Sequence, residues 1–261
     1  MSSLAADPKD FPQRHSSDRA FHLAMVIVVW AVITSGFGYK NIHKLIDGTF
    51  TYPWIVHVHA AAFVGWLVFF TLQVLLVRHR KLSTHRTWGM AGAALAGTMV
   101  VLGVLTAVLT EVFKFGTPDG DARYLSVMFA DMLVFGSLIA AAMLLRSYPS
   151  AHKRLMLVAT LVLTDAGFGR WFSPTLSAWI GGRNFWEFPT FAEGAWPFFR
   201  HQYLPAYVLI AAVGLFDLAT RRRLHPAYIA GVAWCLLVDL LAGWLYFQPF
   251  WNNLALGIIG H

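Results

Sequence analysis

The stretch WIVHVHAAAFVGWLVFFTLQVLLVRHRK, residues 54–81, decides the fold. From Trp54 to Val77 it holds no aspartate, glutamate, lysine or arginine, and it closes on Arg78, Arg80 and Lys81. Roughly 20 such residues in a helix cross the hydrocarbon core of a bilayer. A basic run at the end of an apolar span marks the cytoplasmic side. The stretch therefore reads as a transmembrane helix, about 53–77, that runs inward.

The rest of the chain repeats the pattern. Of 261 residues, 57% are apolar, 15% aromatic and only 13% charged, too little polar surface to cover a water-soluble domain of this size. The formal charge of +7 comes from short basic runs between apolar segments. A nucleic-acid-binding domain would instead carry a basic stripe on a polar surface, so nucleic acid is not an expected partner. Cys235 is the only cysteine, which excludes an intramolecular disulfide and gives no reading of a zinc–thiolate site. Residues 1–20 mix both signs of charge with Pro8 and Pro12 and read as a short cytoplasmic tail, not a signal peptide.

Apolar runs of spanning length lie at about 21–39, 53–77, 87–111, 124–145, 153–172, 201–219 and 226–247. No strand is expected. With the N-terminus inside, the inner segments hold thirteen of the 20 lysines and arginines and the outer ones seven. The inner residues also crowd into short turns, such as 78–86 and 221–223. The expected fold is an all-α seven-helix bundle, one leading helix plus three hairpins, with a cytoplasmic N-terminus and an outer C-terminal tail, 248–261. Within the transmembrane domain, 21–247, the connection 173–200 carries Trp179, Trp186 and Trp196, whose rings suit the headgroup layer. It is expected to lie along the outer interface as a cap.

Each inward-to-outward helix of a hairpin begins at a histidine: His85, His152 and His225. One reading is a ring of inner ligands. The other is a set of helix starts, in which Ser83 or Thr84 and Ser150 are cap types and Pro226 suits a first turn. Asp217 with Arg221, Arg222 and Arg223 reads as an interfacial ion-pair network. Gly89, Gly92, Gly97 and Gly103 read as close helix contacts, and Arg170 as an interfacial anchor.

Ionisable groups inside a span are costly and each needs a partner or a task. His57, His59, Asp131, Asp165 and His201 fall in the outer half, and Asp239 falls mid-span. Residues two apart on a helix face opposite ways. His59 lines up with Trp66 and Gln73 on a polar stripe and is expected inside, whereas His57 shares a face with Ala61, Val64 and Val68. Three readings follow. The groups are hydrogen-bonded packing devices between helices. Alternatively, His59 and His201, with His57 beside them, hold a haem b between imidazoles. In the third, His59, Asp131, Asp165 and His201 bind zinc or iron with an open position for water. The chain has no HxxxH, no HExxH and no cysteine pair to choose among them.

His57-Val58-His59 with Trp66 and Gln73, His85-Arg86 before a small-residue helix, HKRLM at 152–156 and DLATRRRLHPA at 217–227 together resemble a widespread family of bacterial multi-pass membrane proteins. The likeness covers about 53–235 and implies the topology and a bacterial cytoplasmic (inner) membrane, without a reaction. Histidines near both membrane faces give a fainter similarity to ascorbate-reducible b-type cytochromes, and the N-in topology is similar to that of seven-helix zinc hydrolases of the progestin and adiponectin receptor type. The function classes carried forward are a haem- or quinone-linked redox protein of the electron-transport kind, a metal-dependent enzyme acting on a lipid-like substrate, and an accessory subunit of a larger membrane complex.

Overall fold

The computed structural model describes residues 11–12, 14–48, 52–117, 120–171, 199 and 202–261. Among them the chain is helical throughout its regular structure: α1 (Asp18–Ile46), α2 (Trp54–Arg78), α3 (Leu82–Lys114), a single 3-10 turn (Ala122–Tyr124), α4 (Leu125–Leu144), α5 (Pro149–Val162), α6 (Asp165–Trp171), α7 (Leu204–Arg221), α8 (Pro226–Tyr246) and α9 (Pro249–Ile259). Six helical segments of the described residues are long and apolar enough to cross a membrane: Asp18–Gly38, Trp54–Arg78, Leu82–Lys114, Ala122–Leu144, Leu204–Arg221 and Pro226–Tyr246. The chain is an all-helical, multi-pass membrane protein. Val64, Val68, Leu72, Leu237, Leu240 and Leu241 stand exposed along these helices, as lipid-facing side chains do.

The remaining expected span, 153–172, is not one helix. It folds as α5 and α6, broken at Leu163 and Thr164. The break has a local cause. The Thr164 hydroxyl donates to the Leu161 carbonyl at 2.5 Å, and the Asp165 carboxylate accepts from the Ala166 N–H at 2.5 Å. Such short side chains offer the backbone partners that compete with a continuous helix. α5 is the hub of the bundle. From Leu157 to Val162 every residue is buried, the mark of a helix enclosed on all sides. It packs on α4, α7, α8 and α1.

The hairpins α2–α3 and α4–α5 pack as expected. The third pair differs: α7 lies mainly on α5 and α6, and α8 on α4 and α5. Side chains bridge α7 to α8, with the Tyr228 hydroxyl donating to the Ile210 carbonyl at 3.0 Å. α1 meets α6 where Gly36 faces Gly167, and a Cβ on either glycine would strike the backbone of the other helix. Small residues allow that approach. Of the α3 glycines, Gly92 lies against Phe69 and Gly103 against Met132, while Gly89 and Gly97 face open space. Residues 248–261 are more than a tail: most form α9, whose Trp251 indole donates to the Arg123 carbonyl at 2.9 Å. Apart from Phe199, the expected cap 173–200 lies outside the described residues.

At the basic end of the bundle, where the turns 79–81 and 222–225 lie, a charged network ties α1, α5 and α7 together. Arg154 donates to both oxygens of Asp217, at 2.6 and 2.5 Å, and its other nitrogen donates to the Ser150 carbonyl and hydroxyl. Arg221 donates to Asp217 at 3.3 Å and to both oxygens of Asp18, which also holds Lys153 at 2.8 Å. Of the expected ion-pair network, Asp217 and Arg221 do pair, but Asp217 is buried and its closer partner is Arg154 of α5. Phe11 is buried beneath Arg154 and Arg223, its ring edge-on to His225. Phe11 therefore docks on this end.

The cap expectations need correction too. Lys81 and Tyr148 precede α3 and α5 without side-chain caps, so Ser83, Thr84 and Ser150 do not cap. His225 is itself the cap of α8: its Nδ1 accepts from the Ala227 N–H at 3.1 Å. His85 and His152 come together, ring centroids 6.3 Å apart, with His152 Nδ1 donating to the Ala142 carbonyl.

Candidate functional site

At the opposite end of the bundle, the packing of α8 on α4 and α5, together with the break before α6, gathers three carboxyls. Asp131 comes from α4, Asp165 opens α6 and Asp239 comes from α8. Asp165 is 3% and Asp239 2% exposed. The carboxyls of Asp131 and Asp165 lie within hydrogen-bonding reach of each other, and Asp239 is within electrostatic reach of both.

The partners of the three differ. Asp165 accepts from Ala166 N–H and from Gln202 Nε2 at 3.3 Å. Gln202 in turn accepts the Tyr124 hydroxyl at 2.5 Å, so its amide is engaged at both ends. Asp239 accepts the Tyr207 hydroxyl at 2.7 Å. Asp131 Oδ1, Asp239 Oδ1 and the Tyr203 hydroxyl are buried with no hydrogen-bond partner among the described residues. Tyr203 is packed against Phe199 and Val127.

The single cation in reach is Arg170, among the described residues near Asp165. Its guanidinium covers the Phe37 ring at 4.0 Å, donates to the Ala166 carbonyl at 2.6 Å and lies within electrostatic reach of Asp165 and of His59. Arg170, expected as an interfacial anchor, thus also lies beside the acid pair. Three ionised carboxylates beside one guanidinium would leave an excess of negative charge in a medium that opposes even one. Two carboxyls this close in such a place repel each other when both are ionised.

His59 is half-buried, stacks at 4.1 Å on Phe63, and has a buried Nδ1 with no partner among the described residues; its ring also approaches the Leu102 carbonyl. Trp66 and Gln73 continue its stripe inside, at 1% and 9% exposure, and His57 is exposed, as the helical spacing predicts. His201, expected as the partner of His59, lies outside the described residues. Asp131 and Asp165 come together, but the described residues contain no group of three or more histidine, cysteine, aspartate or glutamate side chains arranged to hold a metal.

Tyr124, Arg170, Gln202, Tyr203 and Tyr207 were not assigned to the site from the sequence. The one signal available was the spacing of Tyr203 and Tyr207, a helical turn apart just after His201. In comparisons with known proteins, no family model, no curated protein and no solved structure matches the chain.

Proposed function

We propose that this chain is a proton-exchanging protein of the bacterial cytoplasmic membrane, in which the Asp131–Asp165 pair binds and releases a proton within the bilayer. The contact between these two carboxyls, one of them almost fully buried, carries the reading. Haem or metal ligation has narrower support: of the residues named for it, His59 alone offers an unpartnered ring nitrogen among the described residues. A quinone or another lipid-like molecule whose reaction takes up or yields protons inside the membrane is the partner class that fits this chemistry.

The topology that goes with this function has seven passages, α5 and α6 together forming the fifth, with the N-terminus inside and the acid pair in the outer half. The basic runs at one end support it. In a Cys235→Ala background, cysteine at Thr117 is expected to react with an impermeant thiol reagent in intact spheroplasts, and cysteine at Ser83 only after lysis. Reversed labelling would place the acid pair in the cytoplasmic half.

The site is tested with a membrane-soluble carbodiimide, which adds to protonated carboxyls. One adduct per chain is expected on Asp131, lost in Asp131→Asn and reduced by a quinone analogue at the site. Labelling of neither Asp131 nor Asp165 would rule out the shared proton. An adduct that quinone analogues leave untouched would remove that partner class and keep the site.

A further inference from the structure

We propose that Tyr124 is a positioning residue of the acid pair: through the Gln202 amide it turns a donor toward Asp165, making Asp165 the accepting member and Asp131 the one that holds the proton. The inference rests on the pair being proton-exchanging, as argued above, and adds to it the device that sets where the proton sits.

The hydrogen bonds run in one direction. The Tyr124 hydroxyl donates to Gln202 Oε1 at 2.5 Å, and Gln202 Nε2 donates to Asp165 Oδ2 at 3.3 Å. The other oxygen of Asp165 accepts the Ala166 N–H. Both oxygens of Asp165 therefore already accept, whereas Asp131 Oδ1 has no donor among the described residues. Gln202 and Asp165 are both buried, so the two ends of the amide are settled inside the protein. An amide has one accepting and one donating end, and a half-turn of its last torsion exchanges them. Turned the other way, Gln202 would face Asp165 with Oε1, an atom that a protonated acid can satisfy and a carboxylate cannot. That turn would also take from the Tyr124 hydroxyl the oxygen that accepts its proton. Tyr124 thus holds the amide in the observed sense.

The turn that carries Tyr124 is anchored on two sides. Tyr124 closes the 3-10 turn Ala122–Tyr124. Just before it, Asp121 accepts from Arg123 at 2.8 and 3.0 Å and from the Tyr246 hydroxyl, at the end of α8, at 2.6 Å. Trp251 of α9 donates to the Arg123 carbonyl, and the Tyr124 ring stands edge-on to that of Tyr246, centroids 6.5 Å apart. α8 and α9 together fix the turn. A hydroxyl placed by so many contacts can set the sense of a neighbouring amide.

The test treats the full chain in lipid with the membrane-soluble carbodiimide and maps the adduct to its residue by peptide mass spectrometry. In the wild type the adduct is expected on Asp131. Tyr124→Phe is expected to raise the share on Asp165 on the order of tenfold, the scale of one hydrogen bond to a charged group. Gln202→Leu should do the same, and it carries the test even if the phenylalanine variant folds poorly. Adding Tyr124→Phe to Gln202→Leu should move the adduct no further, because the tyrosine acts through the amide. A tyrosine and a glutamine that only pack would lower thermal stability and leave the adduct on Asp131. That result in both single variants would overturn the proposal, as would a wild-type adduct on Asp165 or an equal shift by Tyr124→Phe with and without the amide. A wild-type pair that takes no adduct on either acid would instead refute the proton-exchanging reading beneath it.

Discussion

Asp217→Ala is expected to lower stability by about 3–5 kcal/mol, the usual cost of leaving a buried charge without its partner. Arg154 is 3% exposed and gives two nitrogens to Asp217, so the alanine would strand that guanidinium between α5 and α7. Arg221 would suffer less, because both oxygens of Asp18 remain to it. Removing both charges together is a different perturbation. Asp217→Leu combined with Arg154→Met should recover most of the loss, since apolar residues of similar volume often replace a buried pair without penalty. Cys235, fully buried and the only cysteine, supplies the readout: a dye that fluoresces on reacting with thiols reports its exposure as the protein is heated. A double variant no more stable than the single one would show that the network holds the helices by more than charge compensation.

The two members of the acid pair are expected to respond unequally to the same change. Asp165 accepts two hydrogen bonds and lies near Arg170, whereas no described donor reaches Asp131 Oδ1. The shared proton therefore rests on Asp131. An asparagine in its place would reproduce a neutral acid of nearly the same shape, and Asp131→Asn should fall within about 1 kcal/mol of wild type. Asp165→Asn removes the charge that compensates Arg170 and weakens the bonds from Ala166 and Gln202, at a cost of about 2–3 kcal/mol. The thiol-exposure midpoint orders the variants. Greater damage from Asp131→Asn would mean that the proton rests on Asp165.

Much of this arrangement could be read from residue order, and the misses have physical causes. The alternation of uncharged runs with basic turns is a signal spread over tens of residues, and it led to the helical membrane architecture. The spacing of His59, Trp66 and Gln73 gave the buried face of α2, because a helix repeats its faces at fixed intervals. The break between α5 and α6 escaped because Thr164 and Asp165 interrupt the backbone pattern without lowering hydropathy enough to end the apolar run. Arg154 looked like one more basic residue at an inner turn. Its burial depends on Asp217, 63 positions away, and no local pattern reports that pairing. The same holds for the contact of Arg170 with Phe37 of α1. The common depth of Asp131 and Asp165 could be counted along their helices, while the tyrosines and Gln202 that separate their roles come from elements whose lateral positions only the folded chain fixes.

The shared proton at Asp131 and Asp165 is tested most directly by the infrared absorption of purified protein in lipid at neutral pH. A protonated carboxyl gives a C=O band well separated from that of a carboxylate. Such a band is expected in the wild type, shifted in heavy water and abolished in Asp131→Asn, while the fold is retained. A spectrum in which Asp131→Asn removes only carboxylate absorption would mean that both acids are ionised, and the proton-exchanging site would be contradicted.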